Sequence, residues 1–397
     1  MNLRVVIAGA GLGGLTAAIA LIRRGINVVV CERTAAFSSV GAGIQLGPNA
    51  TRVLQSLGLE HLLQPVVSEP ESKEVRLWST GEAWTLFDLG EDCRSRFDAP
   101  YWMVHRGDLH DVLVRELERL APGALRVDAP AVSVSQTETS AKLHLANDIV
   151  TGDVVIAADG VHSVLRDVLS ASPAARFTGL MAWRGLAPTD RLPDDLRRSV
   201  GTNWVGPGAH VITYPVRGGE LMNFVGVVEN SDWTSESWSE AGTREECAAD
   251  FAGWHPLVHA IINAIDVPYR WALVERDPVD QWVDGRCAML GDACHATLPF
   301  LAQGAGMAIE DGVVLAACLA NENAPSAALA RYAALRKPRT DAVIAGSSGN
   351  TGRFHNPDLA RPETARSYIA TQWEPEKVRL RYDWLFEYDA TTVANGG

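Results

Sequence analysis

The sequence predicts an α/β fold: a domain on a parallel sheet, interrupted by a mainly antiparallel sheet and closed by a helical C-terminal part. Three observations carry this. The first 31 residues read as strand, Gly-rich turn, helix and strand. Two later apolar runs, residues 151–158 and 286–290, each meet Gly and Asp within two residues. Between residues 177 and 270, patterned stretches such as HVITYPV and LMNFVGVV alternate with Gly/Pro turns, the period-2 pattern of a half-buried antiparallel sheet.

Residues 3–8 are apolar and β-branched apart from Arg4, as in a strand buried on both faces. From Leu15 the period changes: Leu15, Ala18, Ile19 and Ile22 fall on one helical stripe, and Gly25 is placed to end it. Residues 27–31 form the next buried strand, so the unit is βαβ with parallel strands and a right-handed crossover. Residues 69–98, with VRLW and AWTLFDL, share the sheet-like character of 177–270. The expected division is therefore a first domain of residues 1–70, 99–176 and 273–345, and a sheet domain inserted as 71–98 and 177–272. Residues 346–397 form a polar C-terminal segment, docked by Trp373, Tyr382 and Trp384. Gly346-Ser347-Ser348-Gly349 reads as a loop.

Lys and Arg number 35 against 48 Asp and Glu, a net charge of −13. This balance argues against nucleic-acid partners and anionic membrane surfaces, and leaves any anionic ligand to local groups. The six cysteines are scattered without a CxxC pair, as reduced cytosolic thiols are. Residues 5–22 lack charge and imitate a signal peptide. Their glycines and change of period favour a soluble strand–turn–helix, and a cytoplasmic location is expected.

Gly9-Ala10-Gly11-Leu12-Gly13-Gly14 is a GxGxxG sequence with a strand before it and a helix after. Gly9 permits the turn, Gly11 admits a pyrophosphate to the backbone, and Gly14 lets helix and strand pack closely. The helix N-terminus offers free N–H groups to the phosphates. Glu32, 18 residues beyond Gly14, stands where a carboxylate accepts from ribose hydroxyls. These features predict a dinucleotide site, though not which dinucleotide.

Three later segments make that choice. Ala158-Asp159-Gly160 resembles the DG motif of flavoprotein aromatic hydroxylases, residues 286–311 their GD motif, and YWMVHRGDLH their flavin-contacting segment. With the GxGxxG turn these span residues 5–311, so the chain resembles single-component FAD-dependent monooxygenases of the salicylate hydroxylase and 3-hydroxybenzoate 6-hydroxylase type. The resemblance implies FAD bound by Asp292, Arg106, Asp159, Arg33 and Gln45, with NADH or NADPH as co-substrate binding transiently. It implies oxygen transfer from a flavin hydroperoxide to a phenolic acid, with molecular oxygen consumed, and allows a homodimer. Asp292 can accept from ribityl hydroxyls, and Gln303-Gly304-Ala305-Gly306 opens a helix whose N–H groups face the flavin pyrimidine edge. Pro299, without an N–H, fixes the loop beside the ring. The turn-capping alternative stands for both Asp292 and Asp159.

His210 and Tyr214, four apart, share one face of a strand. Related hydroxylases carry a similar His-x-x-x-Tyr that binds the substrate phenol and helps remove its proton, so both are candidate catalytic residues. An ordinary packed His and Tyr is the alternative. Arg184 and Arg217 are candidates for a substrate carboxylate clamp. Pro299 stands where 3-hydroxybenzoate 6-hydroxylases often have glutamine, which leans towards a salicylate-like acid. A hydroxynicotinate-type substrate, or a dehydrogenase that passes electrons elsewhere, are the alternatives. HPLVH (His255, His259) imitates a zinc motif but lacks the following Glu and contains Pro256, so no metal site is expected. No role is assigned to His162 or His295.

Overall fold

A computed structural model describes residues 3–37, 41–170, 176–230 and 240–394. Its first sheet has six strands, in the order Val283–Asp284, Cys287–Met289, Val154–Ala157, Arg4–Ala8, Asn27–Cys31 and Leu125–Arg126. All neighbours are parallel except the outer hairpin of the first two. The apolar runs 5–8 and 154–157 are wholly buried, which their unbroken hydrophobicity requires.

The helix after the Gly-rich turn starts at Leu12, earlier than the apolar stripe suggests, because Leu15 N–H already bonds Gly11 C=O. It is apolar nearly all round, hence buried on every side. It lies against the helix Gly304–Asn321 so closely that a Cβ on Gly312 would meet Ala17 N at 2.7 Å. Gly304–Asn321 is long and apolar enough to cross a membrane, yet most of it is buried in this fold.

The second sheet has eight strands, drawn from residues 72–88 and 176–275. It is antiparallel apart from Val200–Gly206 beside Ser72–Leu77, the pair that joins the two stretches of chain. Alternation gives it two apolar faces. Trp183, Trp204, Val211 and Phe224 pack under Phe251, Ile261 and Ile262, on or beside the helices Arg244–Asp250 and Pro256–Ala264. Leu180, Ala182, Val205, Tyr214 and Val227 face the other way, onto Leu298, Phe300, Leu301 and Met307. Each such buried side chain contributes roughly 1.5–3 kcal/mol. The 298–307 segment therefore sits against one face of the second sheet.

A three-stranded sheet (Gly43–Leu46, Trp102–His105, Val67–Ser68) links the two. Asn223 Oδ1 accepts from Gly43 N–H at 2.7 Å.

One expectation is corrected. Residues 346–349 are not a loop but lie inside a 30-residue helix, Pro325–Phe354. Glycine and serine are poor helix formers, but small side chains let this helix approach the 298–301 segment: Ser347 Oγ donates to Leu298 C=O at 2.5 Å, and Gly346 faces Leu301. The C-terminal helices Pro362–Gln372 and Pro375–Glu387 come next, with Trp373 and Tyr382 buried.

Candidate active site

The glycines of the first turn divide into two kinds. Gly9 has φ +108°, and a Cβ there would meet Ala158 C=O at 2.2 Å; one on Gly14 would meet Gly9 C=O at 2.2 Å. Protein packing alone demands both. Gly11 is different: its φ of −73° suits any residue, and a Cβ there would meet nothing within 4 Å. The space beside Gly11 is open and lies in front of a helix N-terminus, a setting that favours an anion. Glu32 accepts from Ala10 N–H at 2.8 Å and Thr34 N–H at 3.0 Å, which fixes its carboxylate at the end of its strand with lone pairs to spare. Arg33 beside it is exposed.

A second open site lies at the far end. In the mostly buried segment 291–301 only Asp292 and Pro299 have exposed side chains. Asp292 is crowded by protein on its other sides, which raises its pKa, while His295 and Arg106 pull it back. Arg106, also exposed, is thus within electrostatic reach of it. The helix Gly304–Asn321 begins at Gln303, and its first internal bond is Met307 N–H to Gln303 C=O, which leaves Gly304, Ala305 and Gly306 N–H without helical partners. A Cβ on Gly304 would make only an ordinary contact with Thr297.

That helix end is held by a buried charge network. Asp311 accepts from Gly291 N–H (3.0 Å), His295 Nε2 (2.5 Å) and Arg336 Nε (2.7 Å). Glu310 takes Arg336 (2.7 Å), both forks of Arg339 (2.8 Å) and Asn49 (2.6 Å), and Asn49 also reaches Gln303 (2.9 Å). Burial alone would raise the Asp311 pKa, but His295 and Arg336 hold it at about 2. Burial alone would lower the His295 pKa; Asp311 keeps it raised. His295, to which the sequence assigned nothing, belongs to this scaffold.

Other candidates are already engaged. Asp159 accepts from Ser163 Oγ (2.5 Å), Val164 N–H (3.0 Å) and Leu165 N–H (3.3 Å), which is the turn-holding alternative. Gln45 Oε1 accepts from Tyr101 Oη at 2.8 Å and lies 3.4 Å from Lys73 Nζ, so its carbonyl is turned into the protein. Burial lowers the Lys73 pKa to about 8. Arg217 Nε and Nη2 both donate to Asp108, at 2.8 Å each, so that edge of its guanidinium is engaged within the protein. Arg184 is nine-tenths buried and lies over the rings of Tyr269 and Trp271. It shares a cross-strand row with Val225 and Ile212.

His210 and Tyr214 stand on the same face, but four strand residues separate them by about 13 Å. Tyr214 packs on Gly43, beside Asn223. His210 is wholly buried, edge-on to Phe300, the residue after Pro299. Its Nδ1 lies 2.7 Å from His355 Nε2, and its Nε2 has no partner among the described residues. Burial and the neighbouring His355 hold the His210 pKa well below the ordinary histidine value. His355, Lys73 and Asn223 escaped the sequence reading, since no motif marks them. His255 does an ordinary structural task, capping Pro256–Ala264 by accepting from Leu257 N–H.

The profile of the FAD binding domain family matches residues 2–347. A 3-amino-4-hydroxybenzoate 2-monooxygenase from Streptomyces platensis is 38% identical over 99% of this chain and 98% of its own. A 6-hydroxynicotinate 3-monooxygenase from Pseudomonas fluorescens is 37% identical over 89% and 93%. Among solved structures, a salicylate hydroxylase substrate complex superposes with a TM-score of 0.82 at 27% identity, covering 99% of this chain and 97% of that one.

Proposed function

The chain belongs to the FAD binding domain family, among the single-component FAD-dependent aromatic hydroxylases, and from that premise we propose that it hydroxylates a phenolic aromatic acid whose hydroxyl lies across the ring from its carboxylate. FAD, when bound, supplies reducing equivalents from NADH or NADPH to dioxygen and delivers one oxygen atom as an electrophile. Gly11 and the helix N-terminus behind it would hold the diphosphate. Asp292 and Arg106 would take the ribityl chain, and the N–H groups of Gly304, Ala305 and Gly306 the pyrimidine edge. The residues 71–98 and 177–272 act as the substrate domain, with the 298–301 loop closing the ring against it and keeping water out.

An aromatic ring attacks an electrophile faster as a phenolate, so a base must stand at the hydroxyl. The observation that carries the proposal is His210: buried, neutral at working pH, and with Nε2 unpartnered. Arg184 lies two strands away and one row along the same face, about 12 Å between Cα atoms from ordinary sheet spacings. A histidine at one end and a guanidinium at the other suit a molecule with phenol and carboxylate at opposite ends. In both monooxygenases above, the named substrate has that arrangement: 3-amino-4-hydroxybenzoate and 6-hydroxynicotinate. Tyr214 marks the third side of this area. A salicylate-like acid is the second candidate, favoured by Pro299.

The test is a panel of 3-amino-4-hydroxybenzoate, 6-hydroxynicotinate, 4-hydroxybenzoate and salicylate, with NADH and NADPH, in which oxygen uptake and product mass are measured. One para-hydroxylated acid should gain a single oxygen with near-stoichiometric oxygen use. Peroxide alone from every acid would sink the hydroxylase function. Reduction of the flavin without oxygen uptake would favour a dehydrogenase.

A further inference from the structure

His210 does not end at its own ring. Its Nδ1 meets His355 Nε2 at 2.7 Å, and His355 Nδ1 meets Glu229 Oε1 at 3.2 Å. The side chains go from fully buried His210, through His355 at 2% exposure, to Glu229 at 61%. The residues come from three elements: the strand Ala209–Val216, the end of the strand Leu221–Glu229, and the residue just past the helix Pro325–Phe354. The turn at Gly208 clamps them, as its N–H donates to His355 C=O and its C=O accepts from Glu229 N–H.

The order of donors along this line is set by its outer end. An ionised carboxylate only accepts, so His355 must direct its Nδ1–H at Glu229 and is left with a bare Nε2. That nitrogen can only accept, so His210 must donate from Nδ1. His210 Nε2 is then the bare one, and it is the atom that lacks a partner among the described residues. A surface carboxylate thus leaves the buried, unpartnered nitrogen of His210 with its lone pair bare. Phe300 and Phe354 both pack on the His210 ring, so the space could have been filled with hydrocarbon.

We propose that His355 and Glu229 are positioning residues that complete, with His210, a proton relay between the buried substrate hydroxyl and solvent. The proposal rests on His210 being the base. The substrate O–H proton passes to His210 Nε2, the Nδ1 proton moves to His355 Nε2, and the His355 Nδ1 proton moves to Glu229 and on to water. Both rings stay neutral and change tautomer. When the oxygenated ring gives up its ring hydrogen, as a proton to the oxygen atom that stays behind on the cofactor side, it regains aromaticity and its own oxygen takes a proton back from Nε2. The line then runs inward and the starting tautomers return. Among the described residues, the charges that act on the two rings are few. Glu229 faces His355, and the two imidazoles face each other. Of the charged groups on neighbouring elements, Arg353 is engaged with Asn350, and Glu275 with Ser348.

The experiment uses the FAD-loaded enzyme with 15N-labelled histidine, and the variants Glu229→Gln, His355→Gln and His210→Gln. In the resting enzyme, nitrogen shifts should show His210 protonated at Nδ1 and bare at Nε2; a proton on Nε2 overturns the proposal. With 3-amino-4-hydroxybenzoate and 6-hydroxynicotinate as probes, difference absorbance against pH reads the ionisation of the bound hydroxyl. The ionisation midpoint should rise by about one pH unit in both Glu229→Gln and His355→Gln, a tenfold loss of phenolate at fixed pH. Flavin content should stay at the wild-type level, which shows that the fold is kept. If His210→Gln shifts the curve and the other two leave it in place, the relay is wrong and His210 alone is the base. If His210→Gln leaves the curve in place, the base itself was misassigned.

Discussion

At the scale of the residue, identical amino acids in one motif do separate jobs. Gly9 is required by geometry, because φ +108° and the Ala158 carbonyl exclude a Cβ, whereas Gly11 is required by nothing in the protein. Gly9→Ala should therefore destabilise the flavin-free protein by more than about 2 kcal/mol. Gly11→Val should leave its denaturation midpoint nearly unchanged and lower the FAD bound per chain. Urea titration and the visible spectrum of the purified protein separate the two; a Gly11→Val protein that keeps its full flavin content would refute the assignment of that space. His210→Ala is expected to slow hydroxylation by roughly 100-fold, the low end for loss of a general base, while flavin reduction by NADH changes little. Equal losses in both steps in stopped-flow measurements would make His210 a packing residue. Much of this is legible in the sequence. Motif spacing picks out Gly11, and period-2 alternation puts His210 on the same strand face as Tyr214. The engagement of Arg217 by Asp108 is not, since the partners are 109 residues apart and neither sits in a pattern.

At the scale of the element, the helix Gly304–Asn321 offers its N-terminus to a ligand only because its own acidic residues are held behind it. Asp311 and Glu310 are fully buried, and Arg336 and Arg339 answer them from the next helix. Removing one partner from such a set leaves an uncompensated buried charge, so Asp311→Asn should cost about 3–5 kcal/mol. The pH dependence has two edges. Asp311 has a depressed pKa in the fold, so its contribution is complete above about pH 4 and fades as the pH falls through about 2. His295 has a raised pKa, so its contribution is complete below about pH 6.5 and is lost as the pH rises through that raised value. Stability of the flavin-free protein should thus decline above about pH 6.5, and His295→Gln should flatten that decline; an equal slope in both proteins counts against the pair. Sequence patterns show where this helix starts but not what anchors it. They also miss the helix through Gly346-Ser347-Ser348-Gly349, where close approach to Leu298 outweighs poor helix propensity.

At the scale of the whole molecule, the two open places, which we propose hold opposite ends of FAD, are built by different elements. The Gly11 end belongs to the six-stranded sheet, and the Asp292 and Gly304 end to the helix wedged between that sheet and the eight-stranded one. Local periodicity reveals both sheets, because each strand carries its own pattern. It cannot reveal which strands meet, nor that residue 355 closes on residue 210 across 145 positions. Long-range closure of that kind has a thermodynamic signature. A ligand that touches only one end gains the contacts of that end alone. A ligand that spans both couples them, and by mass action adds RT ln(1 + [L]/Kd), about 2.7 kcal/mol at a hundredfold excess over Kd. For a chain of 397 residues that is a rise of about 3 °C in Tm. Calorimetry of the flavin-free protein should show this rise with FAD in one sharpened transition, while ADP, which fills only the Gly11 end, should give a smaller shift. If ADP matched FAD, the Asp292 and Gly304 end would contribute nothing to binding, and its assignment to the flavin would have to be abandoned.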